Sequence, residues 1–455
     1  MNLKKTTALL MAGALMVSMT ACGTNGSETT DVSSEVPVDF ASITLGEDYT
    51  DISADLNFLT HKTDAVDNKF QEYIAEFQQM YPNINITYEG ITSYADDIMI
   101  RLTTSDWGDI CMIPTSIDKD ELSNYFVSFG DKETLDQSYI LLNNYSYDGQ
   151  VYGIPSQGNA QGVVYNRKVY EEAGITELPK TPDEFLDALQ KIKDNTDAIP
   201  LYTNFAAGWT MTAWDAYTNV NCSGDPDFTS TGLVHGSNPF SKRDDMTGPY
   251  AVYYTLYEAV SRGLTEDDPT TTDWEGSKGR MNNGEIGTMV LGSWAIKQIQ
   301  DAGENAADIG YMPFPITVDG KQYVNISPDY CYAVNKNISD DEKIAAMLYI
   351  KWLTEESGFA ESEGGIPVQV GAEYPEAYKD LETAELMSEN AAPEGEENLF
   401  NDINSDSELG LNSSPDTSSS VVEAATIGSP TFDELVDDWN ARWTAAQESN
   451  GVTVN

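Results

Sequence analysis

Between residues 54 and 113 the chain alternates two hydrophobic periods, and that alternation limits what it can fold into. Ala54–Thr60 (ADLNFLT) reads as a strand. Phe70, Tyr73, Ile74, Phe77 and Tyr81 then recur at the helical spacing, with Asp67 placed to cap the helix and Pro82 to end it. A second strand (85–89), a second helix (93–104) and a third strand (109–113) follow. A βαβαβ order requires sheets covered by helices, the α/β class. With 455 residues, two domains are expected rather than one.

Further along, the turn Tyr147-Asp148-Gly149 precedes strands at 151–155 and 162–166. Capping boxes open three helices, at Thr181-Pro182-Asp183-Glu184, Ser339-Asp340-Asp341-Glu342 and Thr431-Phe432-Asp433-Glu434. Residues 388–420, rich in Ser, Asn, Asp, Glu and Pro, read as a long loop, and no internal repeat is visible.

Charge excludes whole classes of partner. Lys and Arg number 24 against 75 Asp and Glu, a net charge of −51. Such a surface repels phosphate backbones and anionic headgroups, so nucleic-acid binding is excluded. Only His61 and His235 are available as histidines, far apart and in no zinc or nucleophile motif. No metal, cofactor or catalytic residue is expected. Asp402-Ile403-Asn404-Ser405-Asp406-Ser407-Glu408 spaces oxygens like the start of a calcium loop, but it has Ser407 where glycine belongs and Ser413 where the closing Glu belongs.

The first segment is an address. Lys4 and Lys5 precede an apolar stretch at 9–19, then Ala21 and Cys22. That stretch is shorter than the roughly 20 residues a spanning helix needs. A signal peptide ending at a cysteine resembles the lipobox of bacterial lipoproteins. The resemblance implies removal of residues 1–21, a lipid on Cys22, and a polar tether over 22–38. Three cysteines remain, Cys111, Cys222 and Cys331, an odd number for which no disulfide framework is expected.

Four ordered blocks carry a second resemblance. They are Val151-Tyr152-Gly153-Ile154-Pro155 with Gly162-Val163-Val164-Tyr165-Asn166; Pro179-Lys180-Thr181-Pro182-Asp183-Glu184-Phe185; Asn283-Gly284-Glu285-Ile286-Gly287 running into Gly292-Ser293-Trp294; and Asp308-Ile309-Gly310-Tyr311-Met312-Pro313 with Tyr332-Ala333-Val334-Asn335-Lys336. In this order they resemble the extracellular solute-binding proteins of ABC importers, in the carbohydrate-type group that includes maltose-binding protein. The resemblance implies an α/β fold of two lobes with a hinge and an interlobe ligand cleft. It places 39–155 and 325–372 in the first lobe, and 156–324 and 373–455 in the second. It also implies hinge closure on a carbohydrate, delivery to ABC permease subunits, attachment to the cell surface through lipid only, and a monomer.

Sugars offer flat C–H faces and a rim of hydroxyls, so their sites combine aromatic planes with planar polar groups. The chain holds 8 Trp and 25 Tyr, too many for aromatics alone to locate a site. By the family pattern Trp294, at a strand-to-helix turn, stacks on the ligand, and Trp209 enters the cleft. Gln157 and Asn159 offer amide donors and acceptors there, although Gly158-Asn159 is also turn chemistry. Asp329 can accept two hydroxyls beside Tyr330, and Thr115 and Ser116 end the equivalent strand of the first lobe. Trp107 is either an added aromatic wall or surface cover. An oligosaccharide is the expected ligand. A cationic solute such as a polyamine, a secreted glycosidase and a surface adhesin are the alternatives.

Overall fold

Parallel strands need a crossover, and the first helix supplies one. In the computed structural model, which describes residues 38–454 apart from 64, 93, 105, 106 and 115, Ala54–Thr60 pairs in parallel with Ile84–Gly90 over its full length. Lys69–Phe77 connects them and buries Phe70, Tyr73, Ile74 and Phe77. Its cap is Asn68 rather than Asp67, because the Asn68 side chain is the one that accepts the Lys69 N–H.

The first sheet runs in the order Ile84–Gly90, Ala54–Thr60, Ile110–Met112, Cys331–Val334, Ile154–Pro155. The second runs Glu385–Met387, Tyr323–Pro328, Gly158–Asn166, Ile286–Gly292, Ile199–Leu201, with Ile309–Pro313 also paired to Gly158–Asn166. The chain therefore leaves the first sheet at Pro155, enters the second at Gly158, and returns between Pro328 and Cys331. One core covers the first sheet and runs on to one face of the second, where it takes in Val164, Met289 and Tyr311, and a second core covers the other face. Phe58, Phe77 and Tyr349 are buried in the first core, and Trp214, Trp439 and Trp443 in the second. This is a two-lobe α/β fold, as the resemblance implied.

The strand Gly158–Asn166 changes partner part-way along one edge. Its residues 158–160 pair with 326–328, and residues 162–166 pair with 309–313. Backbone groups freed at such a splay must find other partners. The Tyr311 hydroxyl accepts the Gly162 N–H (2.6 Å) and donates to the Ala160 carbonyl (2.7 Å). The wholly buried Asn221 donates to the Gln161 carbonyl (2.8 Å) and accepts the Asn325 N–H (3.2 Å).

Several sequence expectations need correction. Residues 388–420 are not one loop, since they hold the helix Leu399–Asp406 and the start of Asp416–Ile427. Few apolar residues mark these helices, but Ile403, Val421 and Val422 are buried in the second core and fix them there. The calcium-like segment thus begins on a helix, whose period scatters its oxygens around the axis. Trp107 is neither wall nor surface. It is buried edge-on to Phe126 in the first core. Ser339 and Thr431 close full capping boxes. At Thr181 the hydroxyl caps Glu184, but the Glu184 carboxylate takes the Lys180 N–H instead.

Cys111, Cys222 and Cys331 are buried free thiols. No helix among the described residues is long and apolar enough to cross a membrane. The signal segment and Cys22 lie outside the described residues.

Candidate functional site

The strands Ile199–Leu201 and Ile286–Gly292 are parallel and so deliver the chain to the same end of the second sheet. Trp209 follows the first of them on the tight turn Trp209–Met211. Trp294 follows the second as the opening residue of the helix Trp294–Asp301. The two indoles converge, with ring centres 5.6 Å apart and planes at 45°. Sequence reading missed a third. Trp274 opens the helix Trp274–Asn282, 5.5 Å from Trp209 and 5.7 Å from Trp294. Its signal was present: in WEGSKGRMN it belongs to no apolar stripe, so it serves another surface. Lys278 sits 4.6 Å from the Trp274 ring centre and covers part of it.

Trp209 is 49% exposed, unusual for an indole, while Trp274 and Trp294 are half-buried. Exposed apolar planes grouped in this way mark binding surfaces. Gly292 makes the grouping possible. A Cβ there would lie 2.5 Å from Nε1 of Trp294 and 3.5 Å from Oε1 of Gln161.

The segments joining the sheets form a polar floor. Gln157 is buried, and its Nε2 donates to Oδ2 of Asp329 at 2.9 Å. The Asp329 N–H returns a bond to the Gln157 carbonyl (2.8 Å), and Oδ1 of Asp329 accepts the Tyr330 N–H (2.9 Å). The two predicted polar groups are thus partners of each other, one from each crossing segment. Asn159 lies within the strand Gly158–Asn166, opposite Ser327, so the turn alternative for Gly158-Asn159 does not hold. Asn325 lies two residues before Ser327 on the same strand face. Oε1 of Gln157 and Oδ1 of Asn159 and Asn325 are buried with no partner among the described residues. Leaving such an acceptor bare costs about 1–3 kcal/mol.

Tyr330 turns toward the first lobe. Its ring lies 4.5 Å from His61 and 5.6 Å, nearly edge-on, from Tyr94. Burial, then the Asp329 charge, pushes its phenol upward, so it stays a neutral donor. Ser116 is apart from these groups. It is exposed and lines a cavity of about 1110 Å³ between Met99, Ile100 and Asp118 on one side and Phe400, Asn404, Leu411, Asn412 and Ser414 on the other. Thr115 lies outside the described residues. Burial, then Asp118, Asp406 and Asp120, raises the Asp402 carboxyl at this cavity. Among the described residues no cluster of His, Cys, Asp and Glu is arranged to hold a metal ion.

Comparison with known proteins gives a consistent result. The family of bacterial extracellular solute-binding proteins matches over residues 63–358. A manno-oligosaccharide-specific solute-binding protein from Bifidobacterium animalis subsp. lactis ATCC 27673, solved with mannotriose, is 48% identical with a TM-score of 0.86. The match covers 90% of this chain and 99% of that one. A second ABC transporter binding protein from the same organism, solved with mannobiose, is 47% identical at TM-score 0.86, covering 91% and 99% of the two chains. The multiple sugar-binding protein of Streptococcus mutans is 22% identical over 302 residues, 64% of this chain and 68% of that protein.

Proposed function

Because the chain belongs to the bacterial extracellular solute-binding proteins, we propose that it captures a manno-oligosaccharide outside the cell and hands it to an ABC permease when its lobes close. The family consists of binding proteins, which sets the glycosidase alternative aside. The observation that carries the proposal is the likeness, at 47–48% identity over nine-tenths of the chain, to two proteins solved with mannotriose and mannobiose.

The chemistry of the site supports this reading. Trp209, Trp274 and Trp294 supply the stacking planes. Asp329, Asn159 and Asn325 supply hydroxyl partners at the floor, and Gln157 holds Asp329 in place. Tyr330 turns in from the first lobe, Ser116 lines the large cavity apart from it, and Thr115 is assigned beside Ser116 from its place in the sequence. A cavity of about 1110 Å³ exceeds the roughly 300–1,000 Å³ of ordinary small-molecule pockets, which suits an oligosaccharide. On this reading the hinge is the set of crossings at Ser156-Gln157, at Asp329-Tyr330 and near residue 372. The expected boundary at 325 moves to 329 because Tyr323–Pro328 pairs within the second sheet, so the first lobe is built from 39–155 and 329–372 and the second from 156–328 and 373–455.

The test is calorimetric titration of the chain from residue 39 onward with mannobiose, mannotriose, malto- and chito-oligosaccharides and spermidine. Mannotriose is expected to bind with little dependence on salt. At 100 times its Kd it should stabilise the fold by about 2.7 kcal/mol. Salt-sensitive binding of spermidine with silence from every sugar would overturn the carbohydrate assignment.

The anchor is proposed from residues 1–22 alone. Cells expressing the full chain are expected to incorporate labelled palmitate into it, and Cys22→Ala should abolish the label and release the protein to the medium. Unlabelled wild-type protein would overturn the anchor.

A further inference from the structure

We infer that Asp215 is a positioning residue for the cleft: its buried carboxylate ties the turn that carries Trp209 to the 409–416 wall of the large cavity, and so sets how tightly an oligosaccharide is held. The inference rests on the reading that this cavity belongs to the sugar cleft.

Asp215 is wholly buried and ends the short helix Thr212–Asp215, which continues directly from Trp209–Met211. Three donors reach its carboxylate from three separate parts of the second lobe. The Tyr253 hydroxyl, from the helix Pro249–Ser261, bonds Oδ1 at 2.8 Å. The Ser418 hydroxyl, from Asp416–Ile427, bonds the same oxygen at 2.5 Å. The Asn412 N–H, from the cavity wall, bonds Oδ2 at 3.3 Å.

That wall needs holding. Glu408, Gly410 and Asn412 all have left-handed backbones, with φ of 55°, 62° and 60°. For residues bearing a Cβ this conformation persists only where surrounding contacts enforce it. Asn404 grips Leu411 from behind through both its amide atoms, and Thr417 holds the Leu409 carbonyl. Asp215 supplies the grip on Asn412, the residue that, with Ser413 and Ser414, lines the cavity.

The bond to Asn412 depends on charge. Oδ1 already accepts two hydroxyls, so a proton added to the carboxylate goes to Oδ2 and makes it a much poorer acceptor for the Asn412 N–H. Burial raises this carboxyl to about 7, against the opposing pull of Ser418, Tyr253 and Asn412. The titratable group facing it is Tyr253, with Cys222 beyond it, and burial holds both protonated. Ser418 and Asn412 carry no charge. Acidification through neutrality therefore loosens the wall and weakens binding. The linkage with folding has the opposite sign. A carboxyl raised from 3.8 to about 7 on folding favours the fold fully below 3.8 and loses that contribution as pH climbs to about 7.

The experiment compares wild type, Asp215→Asn and Ser418→Ala by mannotriose titration from about pH 6 to about pH 8.5. Alongside it, hydrogen exchange of the 409–416 amides is measured in the ligand-free proteins. Wild-type affinity should rise about tenfold with pH, the worth of one charge-assisted hydrogen bond. Asp215→Asn should bind at the acid-limit affinity at every pH and lose protection at Asn412. Ser418→Ala, which removes a bond favouring the charged form, should move the midpoint to higher pH. Wild-type affinity in Asp215→Asn at alkaline pH, or an unchanged pH profile, would overturn the inference and point to the buried Glu266 or Glu389 as the titrating group. Failure of every mannoside to bind wild type would instead overturn the functional reading, and the exchange comparison would still decide the Asp215–Asn412 tie.

Discussion

Trp294→Ala is expected to weaken mannotriose binding about a hundredfold, close to 2.7 kcal/mol, as measured by calorimetric titration. Two losses combine. The indole supplies a stacking plane, and it also holds the other two, being 5.6 Å from Trp209 and 5.7 Å from Trp274. The fold should notice the change far less than the ligand does. Trp294 is half-buried, and its helix is anchored by Ala295, Ile296 and Ile299 behind it. Trp209→Ala should cost less affinity, about tenfold, because that ring is the outermost of the three. Because the rings touch, the double variant should lose less than the sum of the two single changes. An unchanged Kd in Trp294→Ala would remove the tryptophan cluster from the site.

Gly162→Ala should reduce stability by at least about 3 kcal/mol, read as a fall in the urea midpoint at unchanged slope. Gly162 sits where the strand Gly158–Asn166 exchanges one edge partner for another. A Cβ there would stand 2.5 Å from the Met312 carbonyl and 2.9 Å from the Tyr311 ring. Neither neighbour can yield cheaply. Met312 is in the paired strand, and the Tyr311 hydroxyl bridges Gly162 and Ala160. Displacing that ring strips a buried N–H of its acceptor, which adds about 1–3 kcal/mol to the overpacking cost. A loss under about 1 kcal/mol would mean that the splay is looser than its contacts require.

The sequence was most legible where local chemistry acts alone. The Ser339 and Thr431 capping boxes form as read, because each is closed within four residues. The crossover helix after Ala54–Thr60 was visible in its apolar stripe, and only its cap moved by one residue, from Asp67 to Asn68. The helices at 399–406 and 416–427 were illegible for the same kind of reason. Their sequences are polar by composition, and a few buried contacts with distant helices decide their conformation.

The site divides along the same line. Trp294 was singled out by the family pattern at Gly292-Ser293-Trp294, which is local. Trp274 stood out only as an indole outside any apolar stripe, and its meeting with Trp209, which joins residues 65 positions apart, was not visible. The bond between Gln157 and Asp329 was equally invisible, since a sequence shows two polar residues and cannot show that each satisfies the other across 172 positions.

By itself, then, the sequence determined the α/β class, the strongly acidic composition, the helix starts at Ser339 and Thr431 and the family pattern. All of these rest on period, composition or short-range hydrogen bonding. The tertiary structure alone decided which indoles share a platform, where the crossing strand changes partner, and that Asp215 ties the helix after Trp209 to Asn412 and Ser418. Those features depend on long-range pairing, in which a residue's role is set by neighbours that the folded chain brings to it.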